Sequence, residues 1–161
     1  MKGLQRKLFM VFSFTIFAVL GTTARLEYHE AIAYHKLAQT ISSVTNITIY
    51  ELSSHTPDKS SNVLSSVASV RFPVQVFISA AGKAEYQRFG LWKGSPLVIL
   101  SLRDGTQQYA RFSYYAGFFG LDGVDGIYVV QGGQMSEFWT NYQRALDQLR
   151  IAEDNLKKMN K

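Results

Sequence analysis

The chain has 161 residues, no cysteine and a formal charge of +5. The missing thiol excludes disulfides, thiol catalysis, thiolate metal sites and lipoprotein acylation. Three of the basic residues, Lys2, Arg6 and Lys7, lie at the N-terminus, and the chain beyond Ala24 carries only +2. That charge is ordinary for a soluble domain and predicts no nucleic-acid partner.

The N-terminus has the pattern of an export signal or a membrane anchor. Residues 8–24 are uncharged, and their apolar centre is the thirteen residues 8–20. A secretory core runs about 7–15 apolar residues, whereas a membrane-spanning helix needs roughly 20. Thr22 and Ala24 are small residues suited to cleavage after Ala24. The sequence therefore favours a signal peptide over residues 1–24.

Two alternatives remain for this segment. Residues 8–24 can stay in place as a short membrane anchor, or they can begin a buried core helix. With a signal peptide or an anchor, the basic leader stays inside and the rest of the chain crosses the membrane. The sequence then predicts an extracytoplasmic protein, periplasmic or secreted, or anchored in the inner membrane by its N-terminal segment. Residues 25–161 predict a single domain with its own core.

The first elements beyond the leader are a helix and a strand. Apolar residues at helical spacing predict an amphipathic helix over Arg25–Val44. β-Branched residues indicate a strand over Asn46–Leu52. Alternating apolar residues predict further strands over Phe72–Ser79 and Glu85–Trp92, with a short helix over Ala80–Phe89 as the alternative to the second of these.

A β-hairpin is predicted over Leu97–Tyr115. Asp104 and Gly105 favour a two-residue type I′ turn, because both residues tolerate positive φ. That turn sets a register in which Leu100 lies opposite Tyr109. The first strand is apolar on both faces, so we expect it in the interior of the sheet.

The C-terminal part begins with a glycine at every third position from Gly117 to Gly126, which indicates turns, and then a short strand at Ile127–Val130. Ser136 is a suitable cap for a long last helix that runs to about Lys158. Apolar residues in that helix alternate spacings of four and three. The members of this heptad seam are Phe138, Tyr142, Ala145, Leu149, Ala152 and Leu156. Such a seam packs on the chain's own sheet or helix, or it binds a partner helix of another envelope protein or of a second copy.

Aromatic and basic side chains are interleaved in the predicted strands. We assign four of them, Trp92, Tyr109, Arg111 and Tyr115, to a ligand surface, because such surfaces stack on sugars or bases and also form protein hot spots. Packing of the same rings in an ordinary core is the competing interpretation.

Motifs for catalysis and metal binding are missing from the sequence. Asp122 and Asp125 are too few carboxylates for calcium, and the EF-hand spacing is absent. His29 and His35 are six residues apart on a predicted helix, so their rings point in different directions. The nucleophile elbow G-x-S-x-G, the zinc motif H-E-x-x-H and the phosphate-binding loops do not occur. The sequence predicts no metal and no cofactor.

Together these patterns predict an α+β fold. We expect an antiparallel sheet of about five strands, an N-terminal amphipathic helix and a long C-terminal helix. The expected function is that of a non-catalytic accessory or assembly subunit of a cell-envelope complex, acting through protein–protein contacts. A module that binds a glycan or another small ligand is the alternative, and a hydrolase with an unrecognised site is a third.

Overall fold

A computed structural model describes residues 25–50, 68–88, 96–113 and 117–159. Within these ranges the chain forms an α+β fold with one antiparallel sheet and three α-helices. The predicted signal peptide or anchor over residues 1–24 lies outside the described residues.

The elements alternate irregularly between helix and strand. In chain order they are α1 (residues 25–43), β1 (Val44–Tyr50), β2 (Ser69–Arg71), α2 (Val74–Ala81), β3 (Glu85–Gln87), β4 (Leu97–Leu102), β5 (Gln107–Phe112), β6 (Phe118–Leu121), β7 (Ile127–Val129), a 3₁₀ turn (Gly133–Met135) and α3 (Glu137–Met159).

The sheet has the strand order β2-β1-β4-β5-β6-β7-β3, and every neighbouring pair is antiparallel. This confirms the predicted antiparallel α+β fold with a long C-terminal helix. Within the described residues the sheet has seven strands, where about five were predicted. Two of the added strands, β2 and β6, have only three and four residues, too few to show a period in the sequence.

Helix α1 lies along the end of the sheet that carries β7 and β3. Its buried residues are Ala33, Leu37 and Thr40, which share one helical face. The buried hydroxyl of Tyr128 in β7 donates a hydrogen bond of 2.7 Å to the carbonyl of Ala33. Residues 25–32 are exposed apart from the half-buried His29, so the first two turns of α1 lie largely in solvent.

The predicted strand over Phe72–Ser79 was wrong, because Val74–Ala81 forms helix α2. Its apolar residues satisfy both periods, because positions 74, 77, 78 and 81 also follow helical spacing. Pro73 immediately precedes the helix with φ of −63°, which suits a helix start. The buried ring of Phe77 then decides between the two periods by packing 5.9 Å from Phe112.

The hairpin of β4 and β5 forms as predicted, but its register is shifted by one residue. The amide of Leu102 donates to the carbonyl of Thr106 at 2.9 Å, which leaves a three-residue loop. Only Gly105 in that loop has a positive φ, of 84°, whereas a type I′ turn needs two such residues. Leu100 therefore lies opposite Gln108 rather than Tyr109.

This shift decides which face of the sheet each residue of β5 occupies. Residues paired across strands share a face, so Ala110 and Phe112 lie with Val98 and Leu100. All three described helices pack on that face, which we call the inner face. The outer face carries Tyr109 and Arg111, next to Ile99 and Leu97 respectively, and no described helix covers it.

The inner face carries a buried aromatic core centred on Phe112. The rings of Phe138, Phe72 and Tyr142 lie 5.0, 5.4 and 5.5 Å from the ring of Phe112, all edge-on. Such pairs contribute about 0.5–1.5 kcal/mol each beyond the burial of their area. The helices are therefore fixed to this face. The outer face is also buried in part, because Ile99 there is only 3% exposed.

Candidate functional site

The heptad seam of α3 faces the chain's own sheet. The helix begins as predicted at Ser136, whose hydroxyl accepts a hydrogen bond of 3.2 Å from the amide of Trp139. The first four seam residues, Phe138, Tyr142, Ala145 and Leu149, are at most 4% exposed and belong to the core. Ala152 and Leu156 are half-buried and pack against it. The first four residues of the seam thus pack inside this chain.

A groove opens on the outer face beside strands β5 and β6. Its volume is about 270 Å³, near the lower end of the roughly 300–1,000 Å³ typical of small-molecule sites. The lining residues are Leu97, Tyr109, Ala110, Arg111, Gly120, Leu121, Asp122, Gly123, Val124, Asp125 and Gly126. Two of the four residues predicted for a ligand surface, Tyr109 and Arg111, therefore meet in one groove. The other two, Trp92 and Tyr115, lie outside the described residues.

One strand position that lines the groove carries no side chain. Gly120 in β6 is paired directly with Arg111 in β5, on the outer face. Any other residue at position 120 would place a Cβ beside the arginine. Gly120 and Arg111 line the groove together with the turn that follows β6.

The turn of residues 122–126 forms the wall of the groove opposite β5. Hydrogen bonds from other elements to its backbone carbonyls hold this turn in place. The ammonium of Lys36 in α1 donates to the carbonyl of Asp122 at 2.7 Å, and the side-chain amide of Gln108 donates to the same oxygen at 3.0 Å. The hydroxyl of Tyr86 donates to the carbonyl of Asp125. Three elements thus fix the wall, which makes it preorganised for a ligand.

Tyr86 keeps its proton in this position. Burial raises the pKa of its hydroxyl, and the nearby carboxylate of Asp125 raises that pKa further. Both causes disfavour the phenolate, so the hydroxyl remains the donor to the Asp125 carbonyl at neutral pH.

Opposite charges line the groove without neutralising each other. The side chain of Arg111 is exposed and makes no hydrogen bond or ion pair within the part of the chain that the structure describes. The same holds for the carboxylate of Asp125, which lies in the turn on the other side. The site thus presents one cation and one carboxylate that are available to a ligand.

Sequence reasoning missed Asp125 and Gly120 as parts of this site. Both belong to the glycine-rich repeat, which the sequence assigned to turns. The available signal was the third-residue glycine spacing, but it does not reveal that β6 pairs with β5 and so faces Arg111.

The groove contains acidic and tyrosine side chains, Asp122, Asp125 and Tyr109, beside Arg111. Its described lining holds no histidine, serine or lysine. His35 lies on α1, where its ring nitrogen is 3.0 Å from the side-chain amide of Gln39. Across residues 25–50, 68–88, 96–113 and 117–159, no three histidine, cysteine or acidic side chains gather as metal ligands.

Most of the exposed large apolar side chains in the described ranges lie on α1. Four side chains there, Leu26, Tyr28, Ile32 and Tyr34, are between 39% and 65% exposed. The other large exposed apolar side chains, Met135 and Ile151, are isolated from this group along the chain. None of the helices in the described ranges combines the length and the apolar character that a membrane crossing requires.

No protein family matches the chain, and comparisons with curated proteins and with solved structures give no match either. The exposed start of α1 and the groove on the outer face are therefore the two features on which a function can be based.

Proposed function

We propose that this chain is an exported, non-catalytic accessory subunit of a cell-envelope complex that acts through contacts with other proteins. The observation that carries the proposal is the exposure of large apolar side chains within residues 25–32 of α1. Tyr28 and Ile32 lie four residues apart on one side of the helix and are 65% and 44% exposed. Soluble monomers seldom group large apolar side chains in solvent, and such groups mark interaction sites.

The position of this helix end supports a partner that is itself held near the membrane. Residue 25 directly follows the predicted leader. If the leader stays uncleaved, residues 25–32 rise only about 12 Å from it, at 1.5 Å per residue. The partner that fits is a helix of another membrane-anchored envelope protein, which would pack against the α1 end in the extracytoplasmic space.

The remaining part of the seam is a second contact for the same role. Ala152 and Leu156 are half-buried at the end of α3, beyond the last fully buried seam residue, Leu149. A partner helix, or a second copy of the chain, would cover them from the solvent side. The membrane itself is a partner only through residues 8–24, if these are not removed.

Exchange of apolar for charged side chains on α1 tests the proposal. The full chain with Tyr28→Asp and Ile32→Asp is used to capture partners by cross-linking in envelope extracts. Ile151→Asp on α3 is the matched control, because it places the same charge on another exposed helical position. We expect the α1 variant to lose the partner and the control to keep it, with unchanged circular dichroism in both.

Equal capture by the two variants would remove α1 as the docking surface. Sedimentation of the purified full chain measures self-association in parallel. If the parent chain forms a dimer and the α1 variant does not, the partner is a second copy of the chain rather than another protein.

Mass spectrometry of the mature protein tests export separately. We expect an N-terminus at Arg25, since the sequence favours cleavage after Ala24. An intact leader in the membrane fraction would identify an anchor instead. Intact full-length chain among soluble cytosolic proteins would overturn the proposed location.

A second candidate function is the binding of a small molecule or a glycan in the outer-face groove. The specific observation is that Tyr109 and Arg111 converge there with a fixed wall of turn residues. A cavity of about 270 Å³ accommodates one sugar ring or one small charged molecule rather than a long glycan.

A further inference from the structure

We infer that the groove binds a small zwitterion of the amino-acid class, with its carboxylate on Arg111 and its ammonium group on Asp125. This inference rests on the second candidate function, ligand binding in the groove, and names the chemistry of the ligand.

The charges of the groove favour a ligand that carries both signs. A simple anion would pair with Arg111 but would also approach the carboxylates of Asp122 and Asp125, which line the same groove. A cation or a metal ion would be repelled by the guanidinium. A molecule with a carboxylate at one end and an ammonium at the other meets each protein charge with its opposite.

The two protein groups are apart and available for such a bridge. Arg111 lies on the outer face of β5, whereas Asp125 belongs to the turn after β6, and both line the groove. They share the groove but do not form an ion pair with each other. A planar guanidinium binds a carboxylate through two parallel hydrogen bonds, which fixes the orientation of the ligand.

The wall and the size of the groove restrict the ligand further. Because Lys36, Gln108 and Tyr86 bind the carbonyls of the turn, Asp125 is held in place before a ligand arrives. Leu97 and Val124 offer an apolar surface in the lining. A single amino acid with an apolar or small side chain matches this combination.

Titration calorimetry of the full chain tests the ligand class. The probes are leucine, serine and glutamate as zwitterions, N-acetyl-leucine without the ammonium, leucinamide without the carboxylate, and glucose without charge. We expect at least one amino acid to bind. Loss of one charge on the leucine scaffold should weaken binding by about tenfold or more, because hydrogen bonds to charged groups are the stronger kind.

Two variants assign the charges to their residues. Arg111→Gln should bind leucine and leucinamide equally weakly, whereas Asp125→Asn should bind leucine and N-acetyl-leucine equally weakly. Arg103→Gln and Asp147→Asn are the matched controls, because both residues are exposed outside the groove lining. The controls should bind like the parent.

The remaining outcomes separate the ligand class from the binding function. Binding of N-acetyl-leucine as tight as that of leucine would overturn the zwitterion. Binding of glucose alone, lost in Arg111→Gln, would overturn the ligand class but retain a binding groove. If no probe binds, both the zwitterion ligand and ligand binding in the groove are overturned. The proposal of a protein partner at α1 does not depend on this result.

Discussion

The two faces of the sheet are built from alternate residues of the same strands, yet their chemistry differs sharply. In β5 the inner-face residues Ala110 and Phe112 are at most 1% exposed, whereas Arg111 between them is exposed and Tyr109 is half-buried. The inner face holds aromatic rings from strands and helices, and the outer face holds a charged groove. Because neighbouring residues of one strand lie on different faces, a substitution on one face can leave the other face intact.

Removal of the central ring of the inner face tests whether this face provides most of the stability of the fold. Phe112→Ala should destabilise the fold by about 3–5 kcal/mol, because a large buried side chain is lost and a cavity is left. Urea unfolding followed by circular dichroism measures the change. Tyr109→Ala, three positions earlier on the outer face, should cost less than about 1.5 kcal/mol, since its side chain is only half-buried. Equal losses would show that the outer face also belongs to the core.

A smaller effect is expected from one hydroxyl of the inner face. The buried hydroxyl of Tyr142 donates to the carbonyl of Phe112 at 3.0 Å, so Tyr142→Phe leaves that carbonyl without this donor. The expected loss is about 1–3 kcal/mol by urea unfolding. Tyr50→Phe is the control, because Tyr50 is half-buried on the outer face of β1. Its free energy of unfolding should stay within about 0.5 kcal/mol of that of the parent.

Alkaline pH provides a further test of the burial of Tyr128 on the inner face. Burial raises the pKa of the Tyr128 hydroxyl well above its ordinary value, and nearby tyrosines add to the rise. Since the folded-state pKa exceeds the unfolded value of about 10, the stabilisation is fully present below pH 10 and is lost as pH rises above it. The urea midpoint should fall above about pH 10, and less steeply in Tyr128→Phe.

The Tyr128→Phe variant has a lower midpoint at neutral pH because it loses the hydrogen bond to the Ala33 carbonyl. The comparison is therefore between slopes against pH, not between midpoints. Identical slopes in the variant and the parent would mean that Tyr128 titrates in water and that α1 does not seal this part of the inner face.

Elements with a strong local signal could be predicted from the sequence. Strand β4 is apolar on both faces, and it lies between two neighbours in the sheet with Val98 and Leu100 fully buried. Helix α3 has apolar heptad spacing over about three heptads and a serine cap in the sequence, and both features are present in the structure. Such patterns depend on near neighbours in the chain, so they survive in the fold.

Elements that depend on distant contacts could not be predicted. Val74–Ala81 fits two periods, and only the packing of Phe77 on β5 and β6 selects the helix. The groove needs three facts at once: the shifted hairpin register, the pairing of Gly120 with Arg111, and the turn that carries Asp125. None of these is encoded in the spacing of residues along one segment.

The smallest predicted effect concerns the turn that fixes the register shared by both faces. The hydroxyl and the amide of Thr106 donate to the carboxylate of Asp104 at 2.7 and 2.9 Å, and these bonds lower the pKa of that carboxyl below its usual value. Because the folded-state pKa is depressed, the stabilisation is present above the unfolded value of about 3.9 and is lost as pH falls through the folded pKa. Asp104→Ala should slightly lower the urea midpoint at neutral pH and should flatten its decline below about pH 4. Thr106→Val, which removes the hydroxyl donor and keeps the amide, should give part of this change. If both variants decline with acid as steeply as the parent, the carboxylate does not hold the three-residue loop, and the register of Tyr109 and Arg111 on the outer face is set by the strands alone.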